Sequence, residues 1–270
     1  SLCNVLYKIA SKMIANRLKS VLPEIILEEQ SAFVPGRLIT DNIICAYECL
    51  HFMKRNKAKK HQSFSLKLDM MKAYDRVEWI FLRNMMQKLG FDEQWVNLIM
   101  ACVSSVRYKV RYNSQETDMF IPSRGIRQGD PLSPYLFLFC VEGFSALLKK
   151  AQQDRELQGV SFGRTGPTIT QLLFDDDSIV FLEGSRDNMA ALKEILRKYE
   201  RASGQKVNLQ KSSIFFGRGC QNDVKDQLKT DIGIQSEALS ERYIGLPTQV
   251  GRSKDGAFRY VMESAKGKVT

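Results

Sequence analysis

The stretch LLFDDDSIVF, residues 172–181, sets three consecutive carboxylates between two apolar runs. Like charges at that spacing repel, so Asp175, Asp176 and Asp177 add no stability unless a cation or water takes up the charge. The β-favouring residues Leu172 to Phe174 and Ile179 to Leu182 predict strand, tight turn, strand, with the carboxylates at the tip. Two readings of the tip are open, a solvated turn and a metal site, and apolar strands on both flanks favour the second.

A second acidic position stands far upstream. In HQSFSLKLD, residues 61–69, Phe64, Leu66 and Leu68 alternate with Ser63, Ser65, Lys67 and Asp69, which predicts a strand with one buried face and Asp69 on its polar side. If the two strands share a sheet, Asp69 and Asp176 or Asp177 meet. Magnesium is usually held by one or two carboxylates plus substrate phosphates. Two such ions about 3.5 to 4 Å apart would clamp an attacking 3′-oxygen and a leaving pyrophosphate, which is nucleotidyl transfer.

The rest of the chain supplies mostly helices. Ile9, Met13, Ile14, Leu18, Val21 and Leu22 recur at helical spacing, and a second helical run covers 43–53. Five Lys or Arg in the eight residues 54–61 make a charged connection or a nucleic-acid contact. Residues 78–104 read as two helices broken near Gly90, and residues 106–123 resemble a hairpin. Asp130 is expected as N-cap and Pro131 as first residue of a long helix. A further helix from Asp187 to Ser203 ends at Gly204, followed by a strand in SSIFFG, and 258–270 looks helical.

Composition narrows the function. The chain has 270 residues, 44% of them hydrophobic, enough for one large domain or two to three packed subdomains. Lys and Arg number 40 against 30 Asp and Glu, a net charge of +10 and a pI near 9.3, which favours a polyanion such as nucleic acid. The longest apolar run, Tyr135 to Val141, is too short to span a bilayer, so no membrane partner and an intracellular setting, cytoplasmic or nuclear, are expected. Six cysteines without a C-x-x-C pair argue against disulfides and structural zinc. Two histidines cannot build a histidine site, and neither a dinucleotide nor a P-loop motif occurs. Ser1 in place of an initiator methionine suggests a fragment.

Six motifs in order complete the picture: QSAFVPGRLITDN (30–42), LKLDMMKAYDRVEW (66–79), SRGIRQGDPLSPYLF (123–137), LLFDDDSIVF, GQKVNLQKSSIFFG (204–217) and YIGLPT (243–248). Together they resemble the reverse transcriptase domain of non-LTR (LINE-type) retrotransposons, especially plant ones. The resemblance implies an α+β right-hand polymerase whose palm is an antiparallel sheet backed by helices. It divides the chain into fingers (1–62), palm (63–95), a fingers–palm connection (96–125), palm again (126–235) and the start of a largely missing thumb (236–270). It also implies two magnesium ions, with manganese as the alternative, an RNA template, a DNA primer and dNTPs, and no protein partner.

Residue by residue, the resemblance makes Asp69 and Asp176 the metal ligands, with Asp177 beside them and the Met70 carbonyl as a further ligand. Tyr74 falls where the family keeps an aromatic beneath the sugar, excluding a 2′-hydroxyl. Gln128 corresponds to the residue touching the incoming nucleotide, its flanking glycines Gly125 and Gly129 permitting close backbone approach. Arg37 resembles the cation gripping the triphosphate, and Lys211 the lysine near the pyrophosphate, a general acid. Asp175 departs from the family's small or apolar residue, and the extra carboxylate implies weakened or lost activity. The alternatives are therefore a dead nucleic-acid-binding remnant and a group II intron maturase-like enzyme; an RNA-dependent RNA polymerase fits less well because of Tyr74.

Overall fold

A computed structural model describes residues 5–56, 62–163, 166–237, 242–244 and 246–247. The chain opens with helices α1 (Val5–Lys19), α2 (Leu22–Ile25) and α3 (Ile39–Arg55), then enters strand β1 (Ser63–Leu68). Helices α4 (Trp79–Lys88) and α5 (Glu93–Ser104) follow, then a small hairpin, β2 (Arg111–Tyr112) and β3 (Gln115–Glu116), and the long helix α6 (Ser133–Gln153). Next come β4 (Val160–Ser161) and β5 (Thr168–Ile169), then the hairpin β6 (Gln171–Phe174) and β7 (Asp177–Glu183). Helix α7 (Arg186–Ser203), β8 (Ser213–Phe216), α8 (Asn222–Ile232) and the short pair β9 (Arg242–Tyr243) and β10 (Leu246–Pro247) complete the described chain. Of the basic run 54–61 only 54–56 are described, and the expected helix 258–270 and most of the expected thumb lie outside the described residues.

The centre is a four-stranded sheet in the order β6-β7-β1-β8, antiparallel at each junction. One face packs on α6 and α7: Phe64, Leu66 and Leu68 of β1 meet Val180 and Leu182 of β7 and helix residues such as Phe137, Phe144 and Leu192, all buried. The other face is not exposed, as the alternation in β1 had suggested. Ile179, Phe181 and Leu172 cover it together with Ala46, Cys49, Leu50 and Met53 of α3, and Ser65 is buried there too. A strand between two neighbours has short polar side chains on its second face because that face is closed by a helix, not by water.

Two further expectations shift. Of the expected stripe Leu18 and Leu22 are buried and Ile14 packs against the core, but Ile9 and Met13 are 56% and 65% exposed, and Ser11 and Ala15 are buried in α1 instead. Small residues let the helix approach closely, which leaves the bulky ones outside. Helix α6 starts at Ser133, not Pro131. Asp130 still accepts a bond, from the Leu132 N–H at 3.0 Å, but it closes a turn before the helix instead of capping it. Helix α7 does end where expected, at Gly204, whose φ of 77° suits a residue without a Cβ.

Candidate active site

Register brings the two distant acids together. Leu68 pairs with Ser178 and Phe174 with Asp177, so one residue beyond β1 Asp69 falls level with the tip of the β6–β7 hairpin. Burial comes first, then the charges of Asp177 and Asp69, in pushing the Asp176 carboxyl above its ordinary pKa. Lys67 forms an ion pair with Asp177 at 3.4 Å, and its charge also acts on Asp176, against the upward shift. The Asp69 carboxylate has neither an ion pair nor a hydrogen bond among the described residues, though its main chain is held on both sides.

That hold comes from the segment after α7. Asp69 N–H donates to Ser212 Oγ (3.1 Å), its carbonyl accepts from Asn208 N–H (2.8 Å), and Met71 N–H donates to the Lys206 carbonyl (2.8 Å). Met70 forms an isolated bridge with Val207, and Gln205 Nε2 reaches the Ala73 carbonyl at 2.7 Å. The motif GQKVNLQKSSIFFG thus clasps the strand end that carries Asp69. Lys211 sits in the turn between Asn208 and Ser212, exposed and away from the cavity lining.

The hairpin tip is braced from the other side. Two residues, Asp175 and Asp176, make the turn, and Asp175 alone of the pair has positive φ, 53°. Its N–H donates to Gln30 Oε1 at 3.3 Å, and the same oxygen accepts from Ala32 N–H at 2.9 Å. Gln30 bridges Leu173 in parallel, so the loop 29–31 extends the sheet edge beside β6. Gln30 is 1% exposed and was not singled out in the sequence. A buried glutamine beside a glycine-bearing turn carries no sequence signal of its own.

Arg37 takes part in this bracing and not in the cavity. Its guanidinium donates to the carbonyls of Leu27 (2.6 Å), Gln30 (2.6 Å) and Ile26 (2.7 Å), tying the 26–30 loop into shape. The fork geometry that suits a phosphate equally suits converging carbonyls.

Between these supports lies an open cavity of about 710 Å³. Asp175, Asp176, Met70 and Tyr74 form one side, Gln128 and Gly129 another, and the exposed Lys12 and Lys72 add cations, neither of which sequence reading assigned to the site. Tyr74 stacks on Phe137, centroids 4.9 Å apart and planes at 15°, and donates its hydroxyl to Asp175 Oδ1 at 3.2 Å. Burial and the Asp175 charge push the Tyr74 hydroxyl pKa up, while burial and the Asp176 charge push Asp175 up to about 6.

The loop displaying Gln128 is anchored at both ends. At Gly125, φ 90°, an added Cβ would lie 2.8 Å from the Asp75 carbonyl, so only glycine permits this approach. Past Gln128, Asp130 accepts from the Tyr7 hydroxyl (2.8 Å) and pairs with Arg127 (3.3 Å), whose guanidinium lies 3.9 Å from the Tyr7 ring centroid.

Among the described residues no group of three or more His, Cys, Asp or Glu side chains is arranged to hold a metal ion. The pair Asp69 and Asp176 nevertheless fits a hard divalent cation. Magnesium takes one or two carboxylates with substrate phosphates, and burial, followed by the charges of Asp177 and Asp69, already raises the Asp176 pKa.

A family model described as reverse transcriptase (RNA-dependent DNA polymerase) matches residues 1–248. The chain belongs to the reverse transcriptase family. Members of this family use divalent metal ions. The relatives place the domain among non-LTR retrotransposon proteins. A 149 kDa protein of transposon TX1 from Xenopus laevis is 32% identical over 246 residues, 91% of this chain and 18% of its own length. The Pol polyprotein of the type-1 retrotransposable element R2 of Popillia japonica is 24% identical over 78% of this chain and 28% of its own length. The chain thus spans less than a third of either relative. Among solved structures, a telomerase from Candida tropicalis aligns over 98% of this chain and 41% of its own, with a TM-score of 0.54 and 14% identity, a likeness of fold. Helices around an antiparallel sheet make this reverse transcriptase domain an α+β polymerase palm. No helix among the described residues is long and apolar enough to cross a membrane.

Proposed function

We propose that this reverse transcriptase domain extends a DNA primer with dNTPs on an RNA template, by nucleotidyl transfer at the mouth of the β6–β7 hairpin. The observation that carries the reading is that the strand register sets Asp69, from a strand far away in sequence, beside Asp176, at the edge of an open cavity that Asp176 and Met70 line. Asp69, Asp176 and the Met70 carbonyl, with Asp177 adjacent, would hold divalent ions, magnesium by preference and manganese as substitute. Bound there, such ions would supply neutralisation of phosphate charge and a lowered pKa for the attacking primer hydroxyl.

The chain's own groups do the rest. Gln128, on its glycine-bounded loop, contacts the incoming nucleotide, and Tyr74, seated on Phe137, lies beneath the sugar and excludes a 2′-hydroxyl. Lys211, on the exposed turn outside the cavity lining, is assigned to protonating the pyrophosphate as it leaves the cavity. Arg37, committed to three main-chain carbonyls, we assign to the scaffold, which leaves Lys12 and Lys72 as the cations that line the cavity. The net charge of +10 supplies the long-range attraction for template and primer. Residues 1–62 act as fingers, 63–95 and 126–235 as palm, 96–125 as their connection, and 236–270 begin the thumb. Nucleus or cytoplasm is the compartment where such a template is met.

One observation favours a second reading, a binding remnant without catalysis: Asp175 adds a carboxylate to the same cavity as Asp176. Extension of a primed RNA template with dNTPs and magnesium decides between them. The intact chain is expected to extend, and Asp176→Ala to lose extension by roughly a hundred- to a thousandfold or more, the scale for removing one preorganised transition-state contact. Equal extension by both proteins sinks the site assignment; template binding without extension by the parent selects the remnant.

A further inference from the structure

We infer that Asp175 is a positioning residue for Tyr74, and through it sets how strongly the domain discriminates deoxy- from ribonucleotides. This rests on the polymerase reading above. Sequence reasoning had cast Asp175 as a rival ligand for metal, but its carboxylate oxygen is engaged elsewhere, accepting the Tyr74 hydroxyl at 3.2 Å.

Tyr74 has two attachments. Its ring lies flat on Phe137 of α6, which fixes the height of the ring but leaves it free to slide in its own plane. The hydroxyl bond to Asp175 supplies the missing in-plane restraint. Asp175 is itself immobilised, because Gln30 Oε1 accepts its N–H and Gln30 is buried under the 26–32 loop. A ring wall at the cavity therefore has its edge tied to the hairpin tip that carries Asp176. The bond is to a carboxylate, hence stronger than a neutral hydroxyl pair. An aliphatic side chain at 175 could not make it.

A wall held in one place excludes a 2′-hydroxyl by contact; a wall that slides yields to it. Loss of the bond is thus expected to lower KM for ribonucleotides more than it changes kcat for either sugar. Geometry also selects the variants. Because Asp175 has φ of 53°, Asp175→Gly removes the carboxylate without backbone strain, and Asp175→Asn keeps an acceptor oxygen and tolerates the left-handed region.

The experiment is steady-state primer extension on an RNA template, with kcat and KM for a dNTP and the matching rNTP. It compares the full chain with Asp175→Gly, Asp175→Asn, Tyr74→Phe and the double variant Asp175→Gly/Tyr74→Phe, each checked for native circular dichroism. The dNTP-to-rNTP ratio of kcat/KM is expected to fall about tenfold in Asp175→Gly, the scale of one hydrogen bond to a charged group. The same fall is expected in Tyr74→Phe, no further fall in the double variant, and a ratio near the parent's in Asp175→Asn. A ratio unmoved by Asp175→Gly, or single effects that simply add, overturns the inference while the polymerase reading stands. If the parent does not extend, the ratio of nucleotide dissociation constants is read in its place. A parent that neither extends nor binds nucleotide overturns the polymerase reading and this inference with it.

Discussion

Two hairpins in this chain have turns of the same length and opposite surroundings. In β2–β3 the turn is Asn113-Ser114, both at positive φ (47° and 64°), the pattern of a type I′ turn. In β6–β7 it is Asp175-Asp176, with positive φ at the first residue only, the pattern of a type II′ turn, where glycine is the usual occupant. The first hairpin stands in solvent, with Tyr112 75% exposed and a surface ion pair between Lys109 and Glu116. The second has Leu173, Val180 and Leu182 fully buried. Local turn chemistry accounts for the first. The second tolerates an unfavourable turn residue because its flanks are held by the sheet and by Gln30.

The contrast breaks most visibly in the flanks. Leu173→Ala removes a side chain packed between sheet and helices and is expected to cost about 2–5 kcal/mol in urea unfolding. Tyr112→Ala, on the exposed hairpin, should stay within about 0.5 kcal/mol of the parent. Comparable losses from both would mean that the β2–β3 hairpin belongs to the same cooperative core.

The buried hairpin is also the one whose support responds to pH. Glu142 of α6 accepts the Leu27 N–H at 3.2 Å, beneath the loop that braces β6, and burial raises its pKa from 4.5 to about 7. Between those values the folded protein keeps a proton that the unfolded chain has released. Stability therefore falls as pH rises through that window and levels above it. Glu142→Gln keeps an acceptor for Leu27 and abolishes the titration. Relative to the parent it should gain roughly 2–3 kcal/mol between pH 4.5 and 7, read from urea midpoints. Parallel profiles for the two proteins would show that Glu142 is ionised throughout. On the exposed hairpin Glu116→Gln should move the urea midpoint by no more than a few tenths of a kcal/mol.

What could be read from sequence follows the same division. Apolar alternation located β1, runs of β-favouring residues located β6 and β7, and a helix ended by Gly204 located α7, because each pattern is local. The nearness of Asp69 to Asp176 was expected only on the condition that the strand ending at Asp69 and the hairpin tipped by Asp176 share a sheet, which the pairing of β1 with β7 meets. The clasp at Ser212 and Asn208, the brace at Gln30 and the diversion of Arg37 to carbonyls were not visible, since each is a contact between side chain and backbone across many residues. Closure of the second face of β1 was hidden for a related reason: serines on a strand look the same whether water or a helix covers them. Ile9 and Met13 show the reverse error, apolar members of a helical stripe that remain largely exposed while Leu18 and Leu22 are buried.

The smallest test acts on the turns themselves. Ser114 at φ 64° occupies a region that costs an L-residue roughly 1–2 kcal/mol, less where a polar side chain bonds locally, and Ser114→Gly removes that cost while adding unfolded-chain entropy. The net gain expected is about 0.5 kcal/mol in thermal or urea unfolding, with no change in activity, because no residue of β2–β3 reaches the cavity. The matched change at the other turn has a different balance. Asp175→Gly relieves the same kind of backbone cost but gives up the bond to the Tyr74 hydroxyl, so its stability should stay level or fall while Ser114→Gly rises. If both glycines stabilise equally, the carboxylate at 175 holds nothing in place, and the two hairpins differ only in what covers them.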